Sequence, residues 1–354
     1  MRVFPDKTMA RIAVIPGDGI GPEVMAEALP VLAWAQGRGR ELTWEMFPHG
    51  ADHYFSTGET LSEDTFRRLR DDFDAILFGA VGDPRIPDGR HAEAILLRLR
   101  RDLRLGVNHR PCAPMLDALV PLKAIAAADI RIEVFRENTE GPYCLKGETT
   151  KHGATDFAIH TEDAVESLLR AAFQRATALG APLTLAHKAN VLKFGHGLWL
   201  RVFGAMRAEF PSVQANAMYA DALFCALVQR PKDFAIIAAD NYLGDLISDL
   251  LAAFQGGMGL AASANLAPSK PFRCSGLFEP VHGSAPDIAG KGIANPAGMI
   301  LSTALMFHHL GWELEAQAVE SAVKAALAKG AATVDLGGKL GITDMGAAIR
   351  ANLH

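Results

Sequence analysis

The chain has 354 residues, of which 49% are hydrophobic and 21% are charged. This length suits two domains of ordinary size or one large α/β unit, and the composition excludes a disordered chain. The 35 basic and 40 acidic side chains leave a formal charge of -5, with no long run of lysine or arginine. Because nucleic acids recruit clustered cations, we expect neither DNA nor RNA as a partner.

The four cysteines form neither a C-x-x-C pair nor a zinc-ribbon spacing, so we expect reduced thiols. No apolar run approaches the 18 residues of a membrane helix, and the first apolar stretch breaks at Pro16-Gly17, too early for a signal sequence. We therefore predict a cytoplasmic protein that does not bind a membrane. Met9 is an alternative start, which makes residues 1–8 an extension.

Apolar runs alternate with helical stretches along the chain. Strands are predicted at Arg11–Ile15, Ala75–Phe78, Ile130–Phe135, Leu183–Ala186 and Phe234–Ala238. Helices are predicted at Val24–Trp34, Glu93–Leu103, Glu162–Leu179 and Leu198–Glu209. This alternation indicates an α/β fold with a mostly parallel sheet covered on both faces. The polar stretch Cys144–His160 is poor in leucine and predicts either a surface loop or an extended arm.

Three glycines, Gly17, Gly19 and Gly21, follow the first predicted strand. Their spacing differs from the G-x-G-x-x-G of a Rossmann turn, and Pro22 comes directly after the third glycine. The motif therefore predicts a tight turn into a helix, not a dinucleotide fingerprint.

Five arginines lie within the 13 positions 98–110. Arg100 and Arg104 are four residues apart on the predicted helix, whereas Arg110 precedes a proline and is expected to be extended. Another arginine, Arg136, follows a predicted strand. Because forked guanidinium groups suit carboxylates, the group predicts either a site for a small polycarboxylate or a solvated basic face.

Asp245 and Asp249 are four residues apart and share one face of a predicted helix, beside several leucines. An exposed pair of this kind costs only about 0.2–0.5 kcal/mol, but a buried pair costs several times more unless a cation lies between the carboxylates. Mg²⁺ or Mn²⁺ suits such oxygen ligands, and Asp221 offers a third carboxylate. A metal site and a pair of surface acids both remain open at this point.

Three further segments are candidates for chemistry. Lys188 follows a predicted strand directly, so it is either a base with a lowered pKa or a structural cation. Tyr143 is either an acid or a packed ring. The glycine- and proline-rich segment Glu279–Pro296 predicts either a loop that a flat ligand approaches closely or a complicated turn.

Together these segments resemble one family, the metal-dependent β-decarboxylating dehydrogenases, which includes isopropylmalate, isocitrate, homoisocitrate, tartrate and D-malate dehydrogenases. The matching motifs are IPGDGIGPE, LLRLRRDLRLGVNHRP, RENTEGPY, HKANVL, GDLISD and EPVHGSAPDIAGKGIANP, in the family's order. The resemblance implies an isopropylmalate dehydrogenase-like fold, with two α/β domains that share a central sheet and a non-Rossmann nucleotide site. The implied domains are 1–104 plus 257–354, which binds the nucleotide, and 105–256, which binds substrate and metal and dimerises through an arm near 144–160.

The resemblance also implies a role for each candidate residue. The implied substrate arginines are Arg100, Arg110 and Arg136, and the implied ligands of Mg²⁺ or Mn²⁺ are Asp221, Asp245 and Asp249. The implied base is Lys188 and the implied acid is Tyr143. The implied NAD site comprises His282, Gly283, Ser284, Ala285, Asp287, Ile288 and Asn295. Each site of a homodimer would be shared, with Lys188 and Asp221 from the neighbouring subunit.

The implied reaction oxidises a 2-hydroxy acid that carries a 3-carboxylate and then releases CO₂. Lys188 would act as the base, hydride would leave C2 for the nicotinamide, and Tyr143 would protonate C3. NADP-using isocitrate enzymes place a lysine and a tyrosine where this chain has Asp287 and Ile288. Since an anion at Asp287 repels a 2′-phosphate, we predict NAD as the cofactor.

The substrate is a substituted malate whose substituent is less well defined. Glu93, Leu96 and Leu97 resemble the E-x-x-L-L pattern of isopropylmalate dehydrogenases, which favours conversion of 3-isopropylmalate to 2-oxo-4-methylpentanoate. Ala94 and Leu96 replace the serine and asparagine of isocitrate enzymes, which disfavours isocitrate, and an isocitrate or homoisocitrate dehydrogenase remains a further alternative. Tartrate and D-malate remain alternatives, because RENTEG replaces the RELTGG of isopropylmalate enzymes and Ser263–Leu266 resembles tartrate enzymes. A non-catalytic regulatory homologue is disfavoured, because the lysine, the tyrosine and the aspartates are all present.

Overall fold

The computed structural model describes residues 9–354, so residues 1–8, on which the alternative start at Met9 depends, lie outside the described residues. The strands are β1 (Met9–Gly17), β2 (Glu41–Met46), β3 (Ala75–Ala80), β4 (Val107–Cys112), β5 (Ile132–Glu137), β6 (Gly141–Thr150), β7 (Gly153–Ile159), β8 (Leu183–His187), β9 (Ala215–Tyr219), β10 (Ile236–Ala239), β11 (Ala262–Leu266) and β12 (Gly276–Pro280). The helices are α1 (Gly21–Gly37), α2 (Ala51–Thr57), α3 (Glu63–Asp71), α4 (Arg90–Ala92), α5 (Arg98–Asp102), α6 (Glu162–Leu179), α7 (Gly195–Glu209), α8 (Ala220–Gln229), α9 (Asn241–Phe254), α10 (Ala297–Leu310), α11 (Glu313–Ala328) and α12 (Ile342–Arg350). No helix within residues 9–354 is both long and apolar enough to cross a membrane.

Ten strands form one sheet in the order β2-β1-β3-β12-β11-β4-β5-β10-β8-β9. The pairs towards both edges are parallel, as predicted, whereas β11 runs antiparallel to β12 and β4, and β4 runs antiparallel to β5. Parallel neighbours need a long crossover, usually a helix. Residues 113–131 join β4 to β5, and residues 267–275 join β11 to β12. Neither segment contains an α-helix, so the centre of the sheet departs from the parallel pattern.

The sheet is continuous between the two predicted domains. The strands β2, β1, β3, β12 and β11 come from residues before 104 and after 257, and the other five come from 105–256. The β11–β4 pairing, with Asn265 opposite Asn108, joins the two halves. The exact domain bounds stay a prediction.

Apolar side chains cover both faces of the first strand. Ile12 and Val14 are fully buried in a core shared with α1, α10 and α11. Ala13 and Ile15 point to the opposite face and pack with residues of α3 and α5. Burial on both faces explains why this strand reads as a continuous apolar run in the sequence.

Two predicted segments take a more specific form than the sequence indicated. The helix predicted over Glu93–Leu103 is interrupted, because Glu93–Leu97 forms a π-helical turn between α4 and α5. Such wide turns occur frequently at functional sites, and this one carries Glu93, Leu96 and Leu97. The stretch Cys144–His160 forms most of the exposed antiparallel hairpin β6-β7, the arm alternative.

Candidate active site

The site is built on β4, β5 and the helix α9. Arg110 lies on β4, Arg136 lies on β5, and both face α9, which carries Asp245 and Asp249. Gly244 permits this approach, because a Cβ at that position would lie 2.7 Å from the Arg136 Cβ and Cγ atoms. A glycine directly before Asp245 therefore allows the helix to bring the carboxylate against the guanidinium groups.

Asp245 receives three donors. Arg110 Nη1 donates to Asp245 Oδ1 at 3.1 Å, and Arg136 Nη1 donates to the same oxygen. Tyr143 Oη donates to Asp245 Oδ2 at 2.7 Å. Burial acts to raise the pKa of Asp245, but the two arginines and the tyrosine outweigh it and hold that pKa below its ordinary value. Asp245 is therefore an anion whose charge is compensated by these donors.

Asp249 lies one helical turn later and has fewer partners. Its closest cation is Arg110, whose Nη1 is 3.5 Å from Asp249 Oδ1, and its side chain is 39% exposed. Burial and the neighbouring Asp245 carboxylate raise the pKa of Asp249. The carboxylates of Asp245 and Asp249 lie on one face of the helix and keep lone pairs available for a ligand. They fit a hard divalent cation such as Mg²⁺ or Mn²⁺.

The two arginines are almost completely buried and lie close to each other. Burial and the charge of Arg110 lower the pKa of Arg136 to about 10, and burial lowers that of Arg110. Asn241 Oδ1 accepts from Arg136 Nε at 2.9 Å, and Ser248 Oγ accepts from Arg110 Nη1 at 2.8 Å. Both guanidinium groups remain charged at neutral pH, so they favour a dianion beside them.

Arg100 connects to Arg110 through a buried polar chain. Arg100 Nη2 and Asn265 Nδ2 both donate to Glu279 Oε1 at 2.8 Å. Asn108 Nδ2 donates to Asn265 Oδ1 at 2.7 Å, and Arg110 Nε donates to Asn108 Oδ1 at 2.7 Å. The Arg100 Nε atom is buried without a partner, which suits an additional acceptor such as a substrate carboxylate. Sequence reasoning missed the asparagines, since neutral side chains give no charge signal.

Tyr143 lies at the start of the hairpin, against the Arg136 guanidinium group. The Arg136 guanidinium carbon is 4.9 Å from the centre of the Tyr143 ring. Burial and the hydrogen bond to Asp245 raise the pKa of Tyr143. The phenol therefore keeps its proton over a wide pH range and is able to donate it.

Lys188 and Asp221 form a separate pair. Lys188 Nζ donates to Asp221 Oδ1 at 2.8 Å, and this bond lowers the pKa of the exposed Asp221 carboxyl. Within residues 9–354, Asp221 does not converge with Asp245 and Asp249 into one group of ligand atoms in a single chain. The structure thus divides the predicted catalytic residues into two groups, an arginine–aspartate cluster and a lysine pair.

The predicted substrate wall lies on the π-helical turn just before Arg100. Glu93 is exposed, and Leu96 and Leu97 are half-buried. Leu97 and Tyr143 line one cavity of about 180 Å³. Leu97 is thus connected to the arginine–aspartate cluster through Tyr143, whose hydroxyl bonds Asp245, and the roles of Glu93 and Leu96 stay a prediction.

The glycine-rich turn after β1 supports the loop predicted to bind the nucleotide. Ile20 N–H donates to the Ser284 carbonyl at 2.8 Å. Gly19 has a φ of +58°, and a Cβ there would lie 1.9 Å from the Ser284 oxygen, so only glycine fits. The predicted tight turn is confirmed, and it fixes the position of the loop through Ser284. Ala285 follows with a φ of +40°.

The same loop offers polar atoms and open space. His282 Nδ1 donates to the Gly283 carbonyl at 2.9 Å, which leaves Nε2 of the neutral ring as a buried acceptor without a partner. A Cβ on Gly283 would meet nothing within 4 Å. Asn295 Nδ2 donates to Asp335 Oδ2 at 3.1 Å.

Two further residues of this loop complete the predicted NAD site. Asp287 is exposed, and Ile288 packs partly against the core. An orphaned acceptor beside open backbone fits a flat base, so the loop suits a dinucleotide such as NAD.

Comparisons with known proteins identify a family and several relatives. A family model described as "Isocitrate/isopropylmalate dehydrogenase" matches residues 11–349. A 3-isopropylmalate dehydrogenase of Streptomyces coelicolor is 45% identical over 322 residues, which cover 89% of this chain and 91% of that protein. A 3-isopropylmalate dehydrogenase of Thermobifida fusca is 44% identical over 320 residues, covering 88% and 90%.

Solved structures show the same fold. An isocitrate dehydrogenase from Methylococcus capsulatus superimposes with a TM-score of 0.88 at 32% identity, over 98% of this chain and 99% of that chain. A β-decarboxylating dehydrogenase from Thermococcus kodakarensis gives a TM-score of 0.78 at 34% identity, over 98% and 96%. These matches confirm the α/β fold that the sequence motifs imply.

Proposed function

Because the chain belongs to the isocitrate/isopropylmalate dehydrogenase family, we propose that this dehydrogenase converts 3-isopropylmalate to 2-oxo-4-methylpentanoate, with NAD and Mg²⁺ or Mn²⁺. The observation that carries the proposal is the contact of Asp245 with Arg110, Arg136 and Tyr143. It joins the metal-binding, dicarboxylate-binding and proton-donating groups in one place. Several relatives at 42–45% identity are named 3-isopropylmalate dehydrogenase, which supports this choice of substrate.

The arginines bind the substrate through its carboxylates. In the ligand-free chain Asp245 is the acceptor for Arg110 and Arg136, and a substrate carboxylate would take over that role. The unpartnered Arg100 Nε offers one more donor. Asp245 and Asp249 would then hold the divalent cation, with Asp221 of a second subunit. Once bound, the cation draws electron density from the substrate oxygens, which assists both oxidation and loss of CO₂.

Two side chains move the protons. Lys188 of the second subunit would take the proton of the C2 hydroxyl, and NAD, when bound, would supply the hydride acceptor. The C3 carboxylate of the resulting β-keto acid leaves as CO₂. Tyr143 then donates its phenol proton to C3, and its raised pKa keeps that proton in place until this step.

A homodimer explains why the lysine pair lies apart from the arginine–aspartate cluster. Large apolar side chains are exposed around both groups, at Val191, Leu192, Phe194, Tyr219, Tyr242 and Leu246. Phe194 is 96% exposed, and such patches on a soluble enzyme are typical of interfaces. The hairpin β6-β7 is exposed along most of its length, and an isolated two-stranded hairpin is only marginally stable. Both features favour a partner subunit that covers them.

The proposal of NAD over NADP rests on Asp287. This carboxylate is exposed on the loop that contains His282 and Ser284. A 2′-phosphate beside it would meet a like charge. The matching test is the ratio of activities with the two cofactors.

One observation favours tartrate as an alternative substrate. Asn138 lines the cavity shared by Leu97 and Tyr143. Its Nδ2 donates to Leu105 O and Asn265 Oδ1, which leaves Oδ1 buried without a partner. A hydroxyl substituent on C3 could donate to that oxygen, whereas an isopropyl group could not.

The test is NADH formation with Mn²⁺ or Mg²⁺ against 3-isopropylmalate, tartrate, D-malate, isocitrate and homoisocitrate. We expect the highest kcat/KM for 3-isopropylmalate, with one CO₂ released per NADH formed. A higher value for tartrate or D-malate would favour the alternative. Turnover with NADP alone would contradict the cofactor assignment.

A further inference from the structure

A chain of buried hydrogen bonds connects Lys188 to the start of the helix α9. The Lys188 backbone N–H donates to His196 Nδ1 at 2.7 Å. His196 Nε2 lies 2.9 Å from Asp240 Oδ2. Asp240 Oδ1 in turn accepts from the Leu243 N–H at 2.7 Å and caps α9. His196 is 1% exposed and Asp240 is 4% exposed, so the bond between these two side chains is shielded from water.

The hydrogen bonds define one tautomer of His196. A backbone N–H can only donate, so Nδ1 must be the unprotonated acceptor. The proton of the neutral ring is therefore on Nε2, from which it is donated to Asp240. Each ring nitrogen of His196 then has one partner, and the Asp240 carboxylate accepts from two N–H groups.

This tautomer argues against a metal at the same place. One ligand atom each of His160, His196 and Asp240 lies within 4.8 Å of the others. A metal on His196 Nε2 would have to displace the proton that bonds Asp240, and Nδ1 is already an acceptor. His160 Nδ1 likewise accepts from Trp199 Nε1 at 3.2 Å. The group is a hydrogen-bonded network, not a set of vacant ligands.

Neighbouring residues restrict the His196 ring. His160, at the end of the hairpin, packs edge-on against it, with ring centres 6.1 Å apart. Gly195 makes room for this contact, since a Cβ there would lie 2.6 Å from His160 Cδ2. The ring is therefore enclosed between the base of the hairpin, α7 and the start of α9.

We propose that His196 is a positioning residue that fixes the backbone of Lys188, and that Asp240 holds it in the required tautomer. Lys188 follows the last residue of β8, where a rotation of its backbone would move the Nζ atom on its long side chain by several times as much. A displacement of about 1 Å at a reacting group is able to cost about 100-fold in rate. The role of His196 rests on the proposed function of Lys188 as the base.

The first test observes the ring without any turnover. In protein labelled with ¹⁵N-histidine, long-range ¹H–¹⁵N spectra distinguish the two neutral tautomers and the imidazolium. The resonance lost in His196→Asn is assigned to His196. We expect an unprotonated Nδ1 and a protonated Nε2. A proton on Nδ1 would overturn the proposal.

The second test separates positioning from a structural role. In His196→Leu we expect kcat for the substrate that the wild-type protein oxidises best to fall about 10- to 100-fold, with KM and the dissociation constant for NADH nearly unchanged. His196→Asn keeps an amide oxygen near the Nδ1 position. The logarithm of its kcat should therefore lie at least halfway from the value for His196→Leu back to the wild-type value. Melting temperatures of both variants show that the measured protein is folded.

The outcomes distinguish failure of the proposed function from failure of the positioning role of His196. If the wild-type protein oxidises no substrate of the panel, the proposed function fails and the role of His196 fails with it. If the wild-type protein is active and folded His196→Leu retains its kcat, only the positioning role is wrong. Equal losses in kcat, NADH affinity and melting temperature in both variants would also overturn it, because they indicate a general structural role. If His196→Leu does not fold, the tautomer of the wild-type His196 ring and the kcat of His196→Asn test the positioning role instead.

Discussion

Asp245 and Asp249 are both candidate metal ligands, but they contribute differently to the ligand-free protein. Asp245 compensates two buried guanidinium groups and accepts the Tyr143 hydroxyl. Asp249 is more exposed, and its contact with Arg110 is long, at 3.5 Å. We therefore expect Asp245→Asn to destabilise the ligand-free protein, with Asp249→Asn as the matched control that removes the same charge from the same helix.

The structure sets the size of this difference. The Asp245 side chain is 28% exposed and the Arg136 side chain is 2% exposed, so Asp245→Asn leaves buried positive charge without its anion. Breaking a pair of this kind costs about 3–5 kcal/mol, and the partial exposure and the remaining amide acceptor reduce the expected loss to about 2–4 kcal/mol. For Asp249→Asn the long contact and the exposure predict a change below about 1 kcal/mol.

Urea unfolding in the presence of EDTA, followed by tryptophan fluorescence and circular dichroism, measures both changes. Both variants should also lose the stabilisation that Mn²⁺ gives the wild-type protein, because each lacks a proposed ligand. Equal unfolding free energies for the two variants without metal would refute the reasoning, since they would mean that the Asp245 contacts do not compensate the arginines.

Three further predictions address other parts of the molecule. Burial acts to raise the pKa of Glu133, but His109 and Arg175 outweigh it and hold that pKa well below its ordinary value. Glu133→Gln should therefore lower the unfolding free energy by about 1–3 kcal/mol at pH 7. The difference from wild type should shrink as the pH falls below about 4.3, the ordinary pKa of glutamate. A difference from wild type that is the same at pH 7 and pH 4 in urea unfolding would be inconsistent with this shift. Leu246→Glu should convert the proposed homodimer to monomers in analytical ultracentrifugation and abolish turnover, whereas an intact dimer would place the interface elsewhere. Asp287→Lys should raise the KM for NAD and lower that for NADP, and an unchanged ratio of the two would exclude Asp287 from cofactor choice.

The sequence predicts those elements whose signal is local. The strand β1 and the helices α6 and α9 show clear apolar patterns, and the structure confirms them with small shifts at their ends. The antiparallel centre of the sheet is different, because the pairing of β11 with β4 depends on contacts between residues more than 150 positions apart. The π-helical turn at Glu93–Leu97 is equally hidden, since its apolar spacing is compatible with an α-helix.

The candidate site shows the same division. Charged residues at strand ends or at helical spacing, such as Arg110 and Asp245, are visible in the sequence because burial of charge requires a partner. Asn265 and Glu279 act through hydrogen bonds to residues more than 150 positions away, and His196 bonds Asp240, 44 positions away, so nothing in their local sequence indicates these partners. The separation of Lys188 from the arginine–aspartate cluster appears only in three dimensions, and the proposal of a second subunit rests on it.

Complementation between two inactive variants tests the shared site most directly. Lys188→Met lacks the proposed base, and Asp249→Asn lacks a proposed metal ligand, so each homodimer should be inactive. Unfolded together and refolded as a mixture, they form mixed dimers in which one site has both Lys188 and Asp249. The account predicts recovery of about a quarter of the wild-type NADH formation, since half of the dimers are mixed and each has one intact site. No recovery in a mixture shown to contain mixed dimers would contradict it.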